Sequence, residues 1–199
     1  MLSVHCADSY ATAWGNARLA FYDNIFTGYP TFVYDGLFDA WPISTYVSNF
    51  IARQAVPTDV TIDLVAHQQT GETFEVVATV CVESSGIGKN MRVHVVQSLD
   101  QYPVTEDYSR NTVMQGLAGI DVWVDTGTCE VVSQPITFDA VSWSLKESIQ
   151  LTAWAQEPFP SDPAEVFQAR QIEWPFVEPP IFVDGFEDGT TGAWSSVTP

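Results

Sequence analysis

Residues 73–84, TFEVVATVCVES, decide the fold that the sequence predicts for most of this 199-residue chain. One set of side chains alternates strictly with another along the stretch. The first set is apolar: Phe74, Val76, Ala78, Val80 and Val82. A period of two residues is typical of a β-strand with one face in a protein core. The stretch therefore predicts a strand whose apolar face packs against other strands.

Working outward from this strand, further short apolar segments follow one another between turn sequences. The segments lie near residues 58–67, 90–98, 119–124, 129–138, 147–156 and 164–172. The turn signals between them are rich in glycine and proline, such as Gly86-Ile87-Gly88 and Asp125-Thr126-Gly127. About seven short strands with frequent turns predict an antiparallel Ig-like β-sandwich over residues 57–172. The longest stretch without a predicted element is 100–116.

Before Pro57 the apolar spacing changes to that of helices. The predicted elements are a strand over 2–6, a helix from Asp8 or Ser9 to about Asn24, a hairpin over 31–40 and a helix over 44–54. Asp35-Gly36 provides the hairpin turn. The order in residues 1–56 is therefore strand, helix, hairpin, helix. Residues 173–199 are proline-rich at first and then small and polar, which predicts a linker and an extended tail. The fold class expected is α+β.

The first 56 residues resemble the C-terminal half of a thioredoxin fold. Within YPTFVYDG, residues 29–36, Pro30 takes the position of the cis-proline that begins the third strand in that family. The resemblance implies a cis peptide bond before Pro30. The alternative is a trans proline that merely begins a strand, which suits an edge or first position because proline has no N–H to donate.

Several motifs narrow the resemblance to the Omp28-related group of thioredoxin-like secreted or outer-membrane proteins. They are ARLAFYDNIFTGYPTFVYDG at 17–36, SRNTVMQGLAG at 109–119, LTAWAQ at 151–156 and EVFQAR at 165–170. The resemblance implies a thioredoxin-like unit followed by a β-sandwich. The end of the chain, DGFEDGTTGAWSSVTP at 184–199, is similar to a short C-terminal segment found on many bacterial secreted proteins.

The sequence departs from the thioredoxin pattern at its beginning. A complete domain begins with a strand and a helix that carries CxxC, and this chain contains neither CxxC nor a signal-peptide pattern. Either these parts lie upstream of the given sequence or the unit is a degenerate half-domain. Half a domain leaves a strand edge unpaired, so we expect self-association or a missing N-terminal piece.

The three cysteines are far apart in the sequence. Cys81 and Cys129 both fall in predicted strands of the sandwich, where a disulfide would join them in an oxidising compartment. The alternative is two unpaired thiols, since the sequence does not show whether their Cα atoms approach. Cys6 would then remain a free thiol, either a nucleophile with a lowered pKa or a small buried apolar residue.

The chain is strongly acidic, with 25 acidic and 7 basic residues and a formal charge of -18. Such a surface repels nucleic acid and anionic membranes. No apolar run is long enough to span a bilayer. We therefore expect protein partners, through self-association or at a cell surface. The resemblance to the Omp28-related group implies an extracellular or outer-membrane location.

Metal and cofactor sites have few candidates in the sequence. His5, His67 and His94 do not share metal-ligand spacing, so a transition-metal site is not expected. Asp184, Glu187 and Asp188 form an oxygen-rich loop that is a candidate for calcium, the alternative being a solvated turn. We therefore predict that the chain binds no cofactor. The alternative is that it binds a calcium ion at this loop.

Aromatic side chains give two further hypotheses. Five of them lie in the C-terminal segment, where little local core exists: Trp174, Phe176, Phe182, Phe186 and Trp194. Exposed aromatic residues of this kind dock onto another surface, either the sandwich or a neighbouring subunit. In the sandwich, Trp123, Trp143 and Trp154 are either core residues or a platform for sugars.

Three functions remain open from the sequence. The first is a non-enzymatic extracellular structural or binding protein that assembles through its tail or its sheet edge. The second is a fragment of a thiol-disulfide oxidoreductase whose CxxC lies upstream. The third is carbohydrate binding by the sandwich. We favour the first, because the chain combines strong acidity, an aromatic tail and no CxxC.

Overall fold

The structure is a computed structural model, and it describes residues 2–6, 8–23, 33–39, 45–105 and 110–176. Its helices are α1 (Ala13–Phe21), α2 (Tyr46–Gln54) and α3 (Ala140–Ser144). Its strands in chain order are β1 (Val33–Tyr34), β2 (Phe38–Asp39), β3 (Val60–Thr70), β4 (Thr73–Val82), β5 (Lys89–Gln101), β6 (Arg110–Gly116), β7 (Ile120–Val124), β8 (Cys129–Thr137), β9 (Ile149–Gln156) and β10 (Val166–Glu173). A 3-10 turn, Lys146–Ser148, links α3 to β9.

Strands β3 to β10 form a sandwich of two antiparallel sheets. The smaller sheet has the order β3-β4-β8. The larger sheet has the order β10-β9-β5-β6, and β7 pairs with the first half of β5 on the same side as β6. Strand β5 supports both β6 and β7 because it is 13 residues long. The predicted α+β fold with a β-sandwich is confirmed.

The core lies between the two sheets and follows the alternation seen in the sequence. All five apolar side chains of the first set in β4, from Phe74 to Val82, are buried there. Strand β9 is buried along its whole length, so its second face must be covered by something other than the sandwich. On that outer face lie Gln150, Thr152, Trp154 and Gln156.

The N-terminal region covers the outer face of the larger sheet. Leu2 and Trp14 pack against Val96, Val113 and Trp154. The approach is close, because a Cβ atom at Gly116 would lie 2.4 Å from the indole of Trp14. Helix α1 is therefore part of the packing of the sandwich rather than a separate layer.

The hairpin β1–β2 also contacts the larger sheet directly. The carbonyl of Gly36 accepts a hydrogen bond from Ala164 N–H at 3.0 Å, and that of Asp35 accepts one from Val166 N–H at 2.7 Å. Gly36 has φ +72°, and a Cβ atom there would lie 1.9 Å from the carbonyl oxygen of Ala164. The turn predicted at Asp35-Gly36 thus fixes the hairpin against the start of β10.

Three local predictions differ from the structure. Residues 2–6 do not form a strand but a single parallel bridge between Ser3 and Thr112. Helix α1 begins at Ala13, since Thr12 is its N-cap and accepts a hydrogen bond from Gly15 N–H. The stretch 100–116 is not wholly irregular, because its last seven residues form β6. Among the residues that the structure describes, no helix is long and apolar enough to cross a membrane.

Candidate functional site

A groove lies between helix α2 and the start of strand β10. Its volume is about 580 Å³, which is within the usual range for ligand sites. The helix side is lined by Phe50, Arg53 and Val56, and the strand side by residues 165–169. The groove thus joins the N-terminal unit to the edge of the larger sheet.

Helix α2 presents an apolar row beside this groove. Val47, Phe50 and Ile51 have the spacing that places side chains on one helix face, and each is between 53 and 71% exposed. Arg53 is the single charged residue of the helix. A contiguous exposed apolar row of this kind is typical of an interaction surface.

Arg53 links helix α2 to the β1–β2 hairpin and to the strand side of the groove. Its Nε donates to Asp35 Oδ2 at 2.7 Å, and its Nη2 donates to Glu165 Oε1 at 3.1 Å. The hydrogen bond to Asp35, with that to Glu165, raises the pKa of Arg53. The Arg53 side chain is only 17% exposed, whereas Asp35 and Glu165 are 40% and 37% exposed. The carboxylates therefore face solvent and cover the cation.

A second ion pair, formed by Lys89 and Asp59, also lines the groove. Lys89 donates to Asp59 Oδ1, and its Nζ lies 5.0 Å from the centre of the Phe167 ring. Asp59 also accepts a hydrogen bond from Ile87 N–H. The hydrogen bond from Lys89 is the main reason that the pKa of Asp59 is lowered. The charged groups of the groove are thus three carboxylates and two cations, a net charge of about minus one.

The arrangement of charged and apolar residues in the groove suits the binding of a partner. The groove combines apolar walls with fixed charges, and its charged groups are engaged in ion pairs with one another. Within the described ranges, no group of three or more His, Cys, Asp or Glu side chains is placed to hold a metal ion. The geometry supports recognition of a partner by charge and shape.

A second polar cluster is buried between α1 and the larger sheet. Arg18 Nη2 donates to Gln156 Oε1 at 3.2 Å and to the hydroxyl of Tyr22. The guanidinium lies within 6 Å of the Trp14, Phe21, Tyr22 and Trp154 rings. Burial lowers the pKa of Arg18. Because Arg18 is enclosed, the cluster anchors α1 to the sheet and does not face solvent.

His94 completes this buried cluster. Its ring stacks on Trp154 at a centroid distance of 4.9 Å. Burial, followed by the charge of Arg18, lowers the pKa of His94 to about 3. Its Nδ1 atom has no hydrogen-bond partner among the described residues. The side chain is therefore neutral at physiological pH.

The cysteines occupy two different environments. Cys81 and Cys129 face each other across β4 and β8 and form a disulfide, with an S–S distance of 2.04 Å and a Cα–Cα distance of 4.0 Å. Cys6 is a free, half-buried thiol whose Sγ lies 3.4 Å from the carbonyl of Gly15. Burial, with a smaller effect from Asp8, raises the pKa of Cys6, which opposes thiolate formation.

The aromatic residues that begin the C-terminal segment pack on the sandwich core. Trp174 and Phe176 contact Phe74, with ring centroids 5.9 and 5.6 Å away. Trp143 lies perpendicular to Trp174 at 5.4 Å. Trp123 remains 57% exposed, and its indole N–H donates to Asp125. The other predicted site residues lie outside the described residues: Pro30, Phe182, Phe186, Trp194, Asp184, Glu187 and Asp188.

The groove has no signature in the sequence. Its charged residues come from five separate parts of the chain, so no motif joins them. One local signal was present, namely the apolar face of the helix predicted over 44–54, in a chain otherwise rich in acidic residues. That face was not singled out, because an amphipathic helix normally buries its apolar side.

Comparison with solved structures identifies the fold. HBP35 of Porphyromonas gingivalis matches with a TM-score of 0.69 and 15% sequence identity, over 90% of this chain. The chain shares the fold of HBP35. It spans 64% of the length of HBP35. The fold class predicted from the sequence is thus found in a solved protein as well.

Two weaker likenesses accompany HBP35. A domain of the outer membrane lipoprotein Omp28 from P. gingivalis matches with a TM-score of 0.41 and 14% identity, over 59% of this chain and 90% of that domain. A β-glucosidase from Kluyveromyces marxianus matches with a TM-score of 0.34 and 12% identity, over 58% of this chain and 14% of the enzyme. Both scores are too low to carry an argument about function. No protein-family model and no curated protein sequence matches the chain.

Proposed function

We propose that the chain is a non-enzymatic structural module of a secreted or cell-surface protein, and that it self-associates through helix α2. The observation that carries this proposal is the exposed apolar row of Val47, Phe50 and Ile51. The occupant of that row is a second copy of the chain. A two-fold contact would place each row against the same row of its neighbour.

The charge distribution supports a second copy at this face. The chain as a whole carries a charge of -18, which opposes association of two copies at most surfaces. Helix α2 carries only Arg53, whose charge is compensated by Asp35 and Glu165. The helix is therefore a charge-poor face of an acidic protein, where two copies meet with little repulsion.

An extracellular setting is supported by the disulfide. Cys81 and Cys129 are joined in the structure, and such bonds persist in oxidising compartments. The resemblance to secreted and outer-membrane proteins points the same way. A structural role rather than catalysis is supported by Cys6 and His94, since the thiol favours its protonated form and the imidazole is buried.

The test is the oligomeric state of the chain over a range of concentrations, measured by sedimentation equilibrium. We expect reversible association that Ile51→Asp abolishes. The matched control is Ile87→Asp, the same change at a loop residue that is 77% exposed. We expect this control to associate as the wild type does. A wild-type chain that stays monomeric, or equal weakening by both variants, would contradict the proposal.

A further inference from the structure

Strand β10 borders the groove as an edge strand of the larger sheet. Among the described residues it pairs with β9 on one side only. The other side of β10 is in contact with the β1–β2 hairpin where the strand begins. There the N–H of Ala164 donates to the carbonyl of Gly36, and the N–H of Val166 donates to the carbonyl of Asp35. The start of this edge therefore already donates main-chain hydrogen bonds to another segment, the β1–β2 hairpin. Addition of an extended segment to a sheet edge is a common mode of peptide recognition.

The groove offers negative charge to whatever enters it. The carboxylates of Asp35 and Glu165 are more than twice as exposed as the guanidinium side chain between them. Asp59 is likewise more exposed than its partner Lys89. Solvent thus meets carboxylate oxygens first, so the groove favours a cation.

The apolar walls suit a long cationic side chain. Phe50 and Val56 are exposed on the helix side, and Phe167 lies on the strand side. The ring of Phe167 already lies near the ammonium group of Lys89. Arginine and lysine bury their methylene groups along apolar surface while the charged end stays near carboxylates. Both parts of such a side chain find matching surface in this groove.

We propose that the groove binds an extended basic segment of a different protein, with an arginine or lysine side chain directed at Glu165 and Asp35. A second copy of this chain is a poor source, because the chain has only 7 basic residues and most of them already have partners within the structure. Residues 177–199 contain no lysine or arginine, so they do not supply the segment either.

The test is fluorescence anisotropy with a short labelled peptide in which arginine alternates with valine. The full chain is titrated at physiological salt, where long-range attraction by its net charge is screened. The comparison peptide carries glutamate in place of each arginine. The variant is Glu165→Gln, and the matched control is Glu72→Gln, the same change at an exposed residue in the turn between β3 and β4.

We expect the arginine peptide to bind and the glutamate peptide not to bind. We also expect Glu165→Gln to raise the Kd about fivefold and Glu72→Gln to leave it unchanged. Equal weakening by both variants would show attraction by net charge alone and would overturn the proposal, as would no binding of the arginine peptide. Ile51→Asp separates this proposal from self-association, since it removes the α2 row but leaves Glu165 and Asp35 in place.

Discussion

The buried histidine His94 makes stability depend on pH between 8 and 5, above the range in which most carboxylates titrate. Its folded pKa is about 3, below the ordinary value of 6.5. The charged groups that face it are Arg18, Arg92 and Asp121, of which the two arginines lower its pKa and the aspartate raises it. Between these two pKa values the unfolded chain binds a proton that the folded chain does not. The free energy of unfolding therefore falls as the pH is lowered through 6.5.

The size of this effect follows from the two pKa values. One pKa unit corresponds to about 1.4 kcal/mol, so the full effect is about 5 kcal/mol and is complete only near pH 3. At pH 5 the unfolded histidine is almost wholly protonated, and the loss relative to pH 8 is about 2 kcal/mol. No discount for solvent screening is needed, because His94 is only 8% exposed.

Urea unfolding at pH 8, 6.5 and 5 measures this loss. The variant His94→Gln keeps a polar side chain but does not titrate, so its free energy of unfolding should change little over this range. The control His67→Gln removes an exposed histidine and should keep the wild-type pH dependence. A wild-type loss between pH 8 and 5 no larger than that of His94→Gln would refute the reasoning.

Two further predictions concern stability. The disulfide closes a loop of 48 residues, so the double variant Cys81→Ser with Cys129→Ser should lower the free energy of unfolding by about 4 kcal/mol. Urea unfolding measures this loss. Cys6→Ser is the control, and a loss of similar size in that variant would contradict the prediction. Gly36→Ala should lower the free energy of unfolding by more than about 2 kcal/mol. The reason is that φ of Gly36 is +72° and a Cβ atom there would lie 1.9 Å from the carbonyl oxygen of Ala164. Gly71→Ala, also at positive φ but with open space around it, should cost clearly less in the same assay; equal costs would show that the contact with β10 is unimportant.

The strands were predictable where the alternation was strict. In β4 every second residue from Phe74 to Val82 is apolar, and the structure buries them all. The sequence of β6, RNTVMQG, has its two large apolar residues, Val113 and Met114, next to each other. Alternation fails there because Val113 packs under the N-terminal region while Met114 packs against the sandwich core. A strand covered on both faces does not show the two-residue period.

Helix α1 was predicted too long for a similar reason. Asp8 is a good N-cap by residue type, but its carboxylate accepts from Tyr10 N–H and from His5 in a turn that precedes the helix. Thr12 caps the helix instead. Arg18 lies on the same helix and is buried because four aromatic rings and Gln156 surround its guanidinium. Local propensity does not reveal such long-range partners.

The groove could not be predicted from the sequence, because its residues are brought together only by long-range contacts. The composition, however, already limited the charge that the groove could carry. Of the 7 basic residues, Arg53, Lys89, Arg92 and Arg110 are held in ion pairs with carboxylates. Arg18 is enclosed by aromatic rings, and Lys146 lies over Trp143 and Trp174.

Nearly all the positive charge is therefore used within the fold, and the surplus of carboxylates is left at the surface. Two consequences follow from this distribution. A basic partner is favoured wherever carboxylates line a groove, as they do beside β10, because the chain has little free positive charge to compete for them. Under the proposed self-association, copies of the chain would meet where charge is scarce, as it is on α2. The two proposals thus arise from one charge distribution and share Phe50, but single substitutions at Glu165 and Ile51 separate them.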